Sequence, residues 1–203
     1  DKVCSHDIFL TYDMAKEQGS VLTINGGGFL DPAHNTKGEN PVGITIANGK
    51  IITNRTLEGS SYGLIGFNED NTLVLLHNVT GESALEMGVR DAVTMAPFLI
   101  VNGKPAFTKG NGGWGYAART AIGQRKDGIV LFLVIDSNAT RTKDASMKDL
   151  VEIMQRYGAV TAANLDGGTS SAMVVEGTMI NDPIDSVGRH RTRGIPTVFN
   201  VIP

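Results

Sequence analysis

The chain has 203 residues, a formal net charge of −3 and a hydrophobic fraction of 41%, and a chain of that length buries about 70% of its unfolded surface around one core, so a single domain over residues 1–203 is expected. The slight acid excess argues against a nucleic-acid partner, since the one basic stretch, GRHRTRG (188–194), is too short to act as a tail. No apolar run reaches the ~18 residues of a membrane span, so no membrane insertion is expected, and a start at Asp1 rather than Met fits a trimmed piece whose targeting segment has been removed.

In chain order, the lone Cys4 excludes an internal disulfide and has no metal-ligand neighbours. Tyr12 to Gln18 reads as a helix, followed by the strand VLTI. That strand runs into INGGGFL (24–30), three consecutive glycines and an aromatic anchor at Phe29. Four hairpins follow: VGITIANGKIIT turns at Asn48-Gly49, YGLIGFNEDNTLVLLHN near Asp70, MAPFLIVNGKPA at Asn102-Gly103 and TAIGQRKDGIVLFLVID at Asp127-Gly128. Between the third and fourth lies the glycine-rich GNGGWGY, immediately before ARTAIGQ (118–124) with Arg119 at the start of a strand.

In ASMKDLVEIMQRYG (145–158) the apolar residues Met147, Leu150, Val151, Met154 and Tyr157 recur at helical spacing. Ser146 caps the helix with Asp149 three residues on, and Gly158 ends it. A helix between VLFLVID and TAANLD is a β-α-β crossover. Hairpins plus a crossover predict an α+β fold with a mixed, mostly antiparallel sheet. The last strand ends in NLDGGTSS (164–171), a carboxylate, two glycines and a hydroxyl cluster, after which AMVVEGTMI forms a hairpin at Glu176-Gly177 and leads to INDP (180–183). Taken alone, Asp-Gly-Gly is most often a tight turn; the other glycine-flanked polar motifs favour an active-site turn. His6, His34, His77 and His190 lack zinc-ligand spacing, and none is assigned to a metal. Asn54, Asn78 and Asn138 begin Asn-x-Thr sequons.

Asn25-Gly26-Gly27 with Phe29, Arg119 to Gly123, Asn164 to Ser171 and Asn181 to Pro183, in that order, resemble the phosphodiester glycosidase domain family over about residues 21–203. Thr169 stands where that family usually has a third glycine, Gly28-Phe29-Leu30 replaces the commoner Gly-Phe-Phe, and SNATRTKDAS (137–146) lacks the expected glycine-rich loop. The resemblance implies a glycosidase acting on a glycosyl-1-phosphodiester, with a sugar-phosphate or phosphoglycan such as an exopolysaccharide as substrate, in an extracytoplasmic setting.

Such a substrate demands charge balance at an anomeric carbon with oxocarbenium character and donors for a departing phosphate. Asp166 is the expected carboxylate at the anomeric centre, as nucleophile or as base for water. Arg119 is the expected phosphate anchor, because guanidinium binds phosphate bidentately; Arg191 or Arg193 is a further phosphate ligand. The amides of Gly26, Gly27, Gly167 and Gly168 are additional donors, Asn25, Asn164 and Asn181 suit hydroxyl or acetamido recognition, and Thr169 joins them. Ser170 is read as a ligand, since neither a GxSxG elbow nor a histidine is there to activate it. Asp136, ending VLFLVID, is a second carboxylate if its strand neighbours that of Asp166. No cofactor is required; any bound cation is expected to be Ca2+ or Mg2+. Two other readings remain open: a phosphodiesterase acting on a wall or capsule polymer, and a non-catalytic polysaccharide-binding module.

Overall fold

A computed structural model describes residues 10–31, 38, 40–55, 61–137, 144–185 and 187–203. Cys4, His6, His34 and the Asn138 sequon lie outside these residues.

Helix α1 (Thr11–Glu17) precedes β1 (Leu22–Asn25), β2 (Ile44–Ala47), β3 (Lys50–Asn54), β4 (Gly63–Asn68) and β5 (Leu73–Leu76). After α2 (Gly81–Glu86) come β6 (Val89–Met95), β7 (Phe98–Val101), β8 (Lys104–Pro105), β9 (Arg119–Arg125) and β10 (Val130–Ile135). Helix α3 (Met147–Arg156), β11 (Ala159–Asn164), β12 (Met173–Val175), β13 (Thr178–Met179) and β14 (Val198–Val201) complete the order. The strands form three sheets, ordered β13-β12-β1-β14, β10-β9-β11-β7-β8 and β3-β2-β6-β4-β5. The fold is therefore α+β and dominated by antiparallel sheet, as the hairpin signals predict. Asn-Gly at 48–49 and 102–103 and Glu-Gly at 176–177 carry φ values of 49° and 69°, 51° and 75°, and 46° and 74°, the left-handed pairs that match the twist of two-residue hairpins.

Side chains alternate between two cores, because successive strand residues face opposite ways. Ala121 and Ala162 face one side of the second sheet, against α3 residues Met147, Leu150, Val151 and Met154. Their neighbours Ile122 and Ala163 face the other side, where they meet Ile24 and Phe199 of the first sheet and Ile65 and Val93 of the third. A third cluster packs Ala84 of α2 on Ile44, Ile46, Leu64 and Ala92. This central layer fixes the three sheets relative to one another.

Helix α3 starts as its sequence predicts: the Ser146 hydroxyl accepts from the Asp149 amide at 3.2 Å, and an Asp149 carboxylate oxygen accepts from the Ser146 amide at 2.7 Å. Tyr157 is an exception; it forms the C-cap and is 63% exposed. The crossover is present, with β10 and β11 both antiparallel to β9 and so parallel to each other, but β9 lies between them. The condition for pairing Asp136 with Asp166, adjacency of those two strands, is therefore not met.

Candidate active site

The ends of β1 and β11 and the start of β9 meet at one place. The Asp166 amide donates to the Gly26 carbonyl at 3.0 Å, the Leu165 amide to Thr120 O at 2.9 Å and the Gly168 amide to Ala118 O at 2.9 Å. Asn25 ties these segments together from the inside. Fully buried, it donates from Nδ2 to the Asp166 carbonyl at 2.7 Å, while its Oδ1 accepts from the Thr120 hydroxyl at 2.7 Å and the Ala172 amide at 3.1 Å. The expected substrate contact from Asn25 is thus corrected to a positioning role. Gly26 and Gly27 are corrected likewise: their amides donate to Thr197 O at 2.8 Å and Thr197 Oγ1 at 3.0 Å. A Cβ on Gly26 would lie 2.5 Å from Thr197 Oγ1, so glycine is required there for strand packing.

Beyond this knot the chain opens a cavity of about 580 Å³, lined by Phe29, Asp31, Ala117, Ala118, Ser137, Asp166, Gly167, Gly168, Thr169, Ile184 and Arg193. Asp166 sits in its wall, half-buried. Burial pushes its carboxyl up to about 6; the Ser170 hydroxyl, the Gly167 amide and the Arg193 charge oppose the rise, and the Asp31 charge adds to it. Ser170, 2% exposed, turns its hydroxyl toward this carboxylate without a hydrogen bond of standard geometry. Gly167 must lack a side chain, because a Cβ would stand 2.9 Å from the Ala118 carbonyl. Gly168 and Thr169 line the cavity, although the Gly168 amide is already engaged by the Ala118 carbonyl.

Arg193 supplies the cation. Its Nη2 lies 2.6 Å from Asp31 Oδ2, and its guanidinium carbon lies 4.6 Å from the centre of the Phe29 ring. Arg191 instead pairs with Asp185 at 2.6 Å, beside Arg189 at 2.9 Å; the Arg189 amide, then the Arg189 side chain and the Val187 amide, hold the Asp185 carboxyl well below the usual range against the effect of burial. Of the two arginines considered from the sequence, Arg193 is the one that faces the cavity.

Four further expectations change. Arg119 does not line the cavity: Nε donates to Ala145 O at 3.1 Å, and Nη2 to Trp114 O at 2.8 Å and Gly115 O at 3.0 Å. Burial lowers its pKa and the nearby Asp144 charge opposes that shift. It braces the wall formed by Ala117 and Ala118, and reading it as a phosphate anchor is corrected accordingly. Asp136 accepts from Asn181 Nδ2 at 2.7 Å and from the Asp182 amide at 2.9 Å. Asn181 also donates to Ser171 O at 3.0 Å and accepts from the Met173 amide at 2.7 Å, so both residues hold the INDP turn rather than face a substrate. Asn164 is 1% exposed and donates to Ala96 O at 2.7 Å, with its Oδ1 unpartnered.

Asp31, Ser137 and Ile184 are cavity residues that no motif disclosed; an Asp before Pro reads as a turn, and only the six-residue distance of Asp31 from Asn25 hinted at more. Ser137 hydrogen-bonds Asp144. No group of three His, Cys, Asp or Glu side chains suited to a metal ion occurs among the described residues.

The glycine-flanked motifs of this mostly antiparallel fold converge on one half-buried carboxylate. The phosphodiester glycosidase family profile matches residues 18–202, and the chain belongs to that family. It is 28% identical to the SPbeta prophage-derived protein YomE of Bacillus subtilis over 87% of this chain, but spans only 27% of that protein. Bovine N-acetylglucosamine-1-phosphodiester alpha-N-acetylglucosaminidase is 33% identical over 34% of this chain and 13% of its own length. The catalytic domain of the zebrafish enzyme of that name, auto-inhibited by pro-peptide, has a similar fold, with a TM-score of 0.78 and 21% identity across 97% of this chain and 68% of the other.

Proposed function

We propose that the protein hydrolyses the glycosidic bond of a sugar 1-phosphodiester, releasing free sugar and a phosphomonoester. One observation carries this reading: a half-buried carboxylate, Asp166, shares a cavity of about 580 Å³ with the Arg193 guanidinium, in a member of the phosphodiester glycosidase family. The anomeric C–O bond breaks, the phosphate leaves with its electron pair, and water supplies the hydroxyl. Asp166 in its ionised form acts as nucleophile or as base for that water. Arg193 balances the departing charge. Gly167, Gly168 and Thr169 shape the sugar side of the cavity, with Ser170 behind the carboxylate.

The natural substrate in this reading is a sugar-phosphate or phosphoglycan met outside the cytoplasm. No described helix is long and apolar enough to cross a membrane. Metal is not needed, because the charge-balancing group is an arginine; activity is expected to persist in EDTA, and complete, metal-reversible loss would overturn this mechanism. The deciding experiment identifies the products from a panel of glycosyl-1-phosphodiesters. Free sugar with phosphomonoester is expected, whereas sugar phosphate would establish a phosphodiesterase, and affinity without turnover a binding module.

A further inference from the structure

Asp31 lies directly beyond the β1 glycine turn, on the cavity wall, with its side chain 12% exposed and that of Arg193 24% exposed. The pair is separated by 162 positions in sequence and meets at 2.6 Å, with Phe29 beneath the guanidinium at 4.6 Å. Taking two charges out of water is rarely favourable for stability alone, and apolar side chains of similar volume would fill the same wall. We propose that Asp31 is a positioning residue that confers selectivity for anionic substrates, by holding Arg193 against Phe29 at the phosphate end of the cavity.

The inference rests on reading this cavity as a glycosyl-phosphodiester site. The chain around Arg193 has no regular secondary structure from 188 to 196, so an unpartnered arginine there would sample many rotamers, and a fixed one loses less entropy on meeting a phosphate. Among the described residues, Asp31 pairs with this guanidinium and the Asp166 carboxyl feels the charge of both. Without Asp31, the guanidinium is no longer fixed at the phosphate end of the cavity, so contact with the phosphate weakens while Asp166 stays available to charged and uncharged substrates alike. Arg119, behind Gly167, is tied to three carbonyls and cannot substitute. The Asp31 charge also raises the Asp166 carboxyl, so neutralising Asp31 lowers it.

The test compares Asp31→Asn, Arg193→Gln and the double variant. Each is assayed with a glycosyl-1-phosphodiester and with the corresponding uncharged nitrophenyl glycoside, and binding of inorganic phosphate is measured by calorimetry. Asp31→Asn is expected to lower kcat/KM on the phosphodiester by on the order of 10–100-fold, chiefly through KM, and to change the neutral glycoside by less than about threefold. The acid limb of its pH profile should move to lower pH. Phosphate affinity should fall by at least about tenfold, and Asp31→Asn should add almost nothing in the Arg193→Gln background, because the two act as a unit. Asp31→Glu should recover part of the loss. An unchanged substrate ratio with an unmoved pH limb, or phosphate binding that is absent or indifferent to Asp31, overturns the proposal. Asp31-dependent phosphate binding in a protein that cleaves no phosphodiester would instead sink the glycosidase reading, and with it the role in substrate selectivity, while upholding Asp31 as the residue that positions Arg193 for an anion.

Discussion

Two cavities of almost equal size, about 570 and 580 Å³, sit on different parts of the molecule. The first lies between β14, β2, β6 and β10, with Phe67, Val93, Phe132 and Phe199 in its walls. Two charged groups at its edge engage each other: Arg90 pairs with Asp91 at 2.6 Å and reaches Asn71 at 3.0 Å, and Asp91 accepts from the Asn48 amide at 2.8 Å. The second holds Asp166, raised by burial to about 6, beside the Arg193–Asp31 pair. Volume follows from how three twisted sheets meet; chemistry requires converging polar groups and a carboxylate kept from water.

The hardest blow to that contrast is Asp166→Asn. The amide preserves shape but cannot act as a carboxylate, so kcat should fall by about 10²–10⁴ with KM little changed. Stability should move the other way. The folded-state pKa lies above the ordinary 3.8, so the folded protein prefers the neutral acid; that preference stabilises fully below pH 3.8 and is lost as pH rises through about 6. Above pH 6 the Asn variant should therefore be more stable than wild type by up to about 3 kcal/mol, and near pH 4 the gain should vanish. Wild-type activity should rise between pH 5 and 7. Full turnover by folded Asp166→Asn would remove chemistry from the second cavity.

Arg193→Ala comes next. Losing a partly buried charge at the phosphate end should cost about 2–4 kcal/mol in transition-state terms on a phosphodiester. Arg193→Lys should recover only part, since a point charge does not reproduce the planar fork. Equal losses on charged and uncharged glycosides would show that Arg193 does not read the phosphate.

Arg119→Ala separates support from chemistry. It leaves the Trp114, Gly115 and Ala145 carbonyls without their shared donor, at a cost of about 2–3 kcal/mol, or roughly 4–12 °C in Tm for a domain of this size. Folded enzyme should retain its preference for phosphodiesters. Loss of that preference at unchanged Tm would return Arg119 to the phosphate.

Much of the frame is readable in the sequence because it is local. Asn48-Gly49 and Asn102-Gly103 set hairpins, Ser146 with Asp149 starts α3, and the motifs ending β1 and β11 converge. Helix α2 is not readable in the same way: six residues beginning with Gly81 give too short a period, and its capping box uses Ser83 where Glu or Gln is the usual signal. Roles within the site are the least readable. Asn25, Asn181 and Arg119 have the chemistry of ligands, but whether an amide or guanidinium meets a substrate or a backbone carbonyl depends on residues far away in the chain. The Arg193–Asp31 pair joins a loop near the end to the turn after β1, and no spacing rule reaches across that distance.

Val130→Lys probes the other side of the comparison with the smallest expected effect. Val130 is 37% exposed, lines the first cavity and begins an edge strand. Lysine there keeps its ammonium in solvent while its stem covers apolar surface, so stability should change by no more than about 0.5 kcal/mol. Because Asp91 in the first cavity is taken up by Arg90 and the Asn48 amide, kcat/KM on a phosphodiester should stay within about twofold of wild type, which less than about 0.4 kcal/mol would produce. A tenfold loss in a variant with unchanged Tm would mean that substrate or a moving element reaches the first cavity during turnover. Equality of size between the two cavities would then reflect shared function, and the assignment of chemistry to the Asp166 cavity alone would fail.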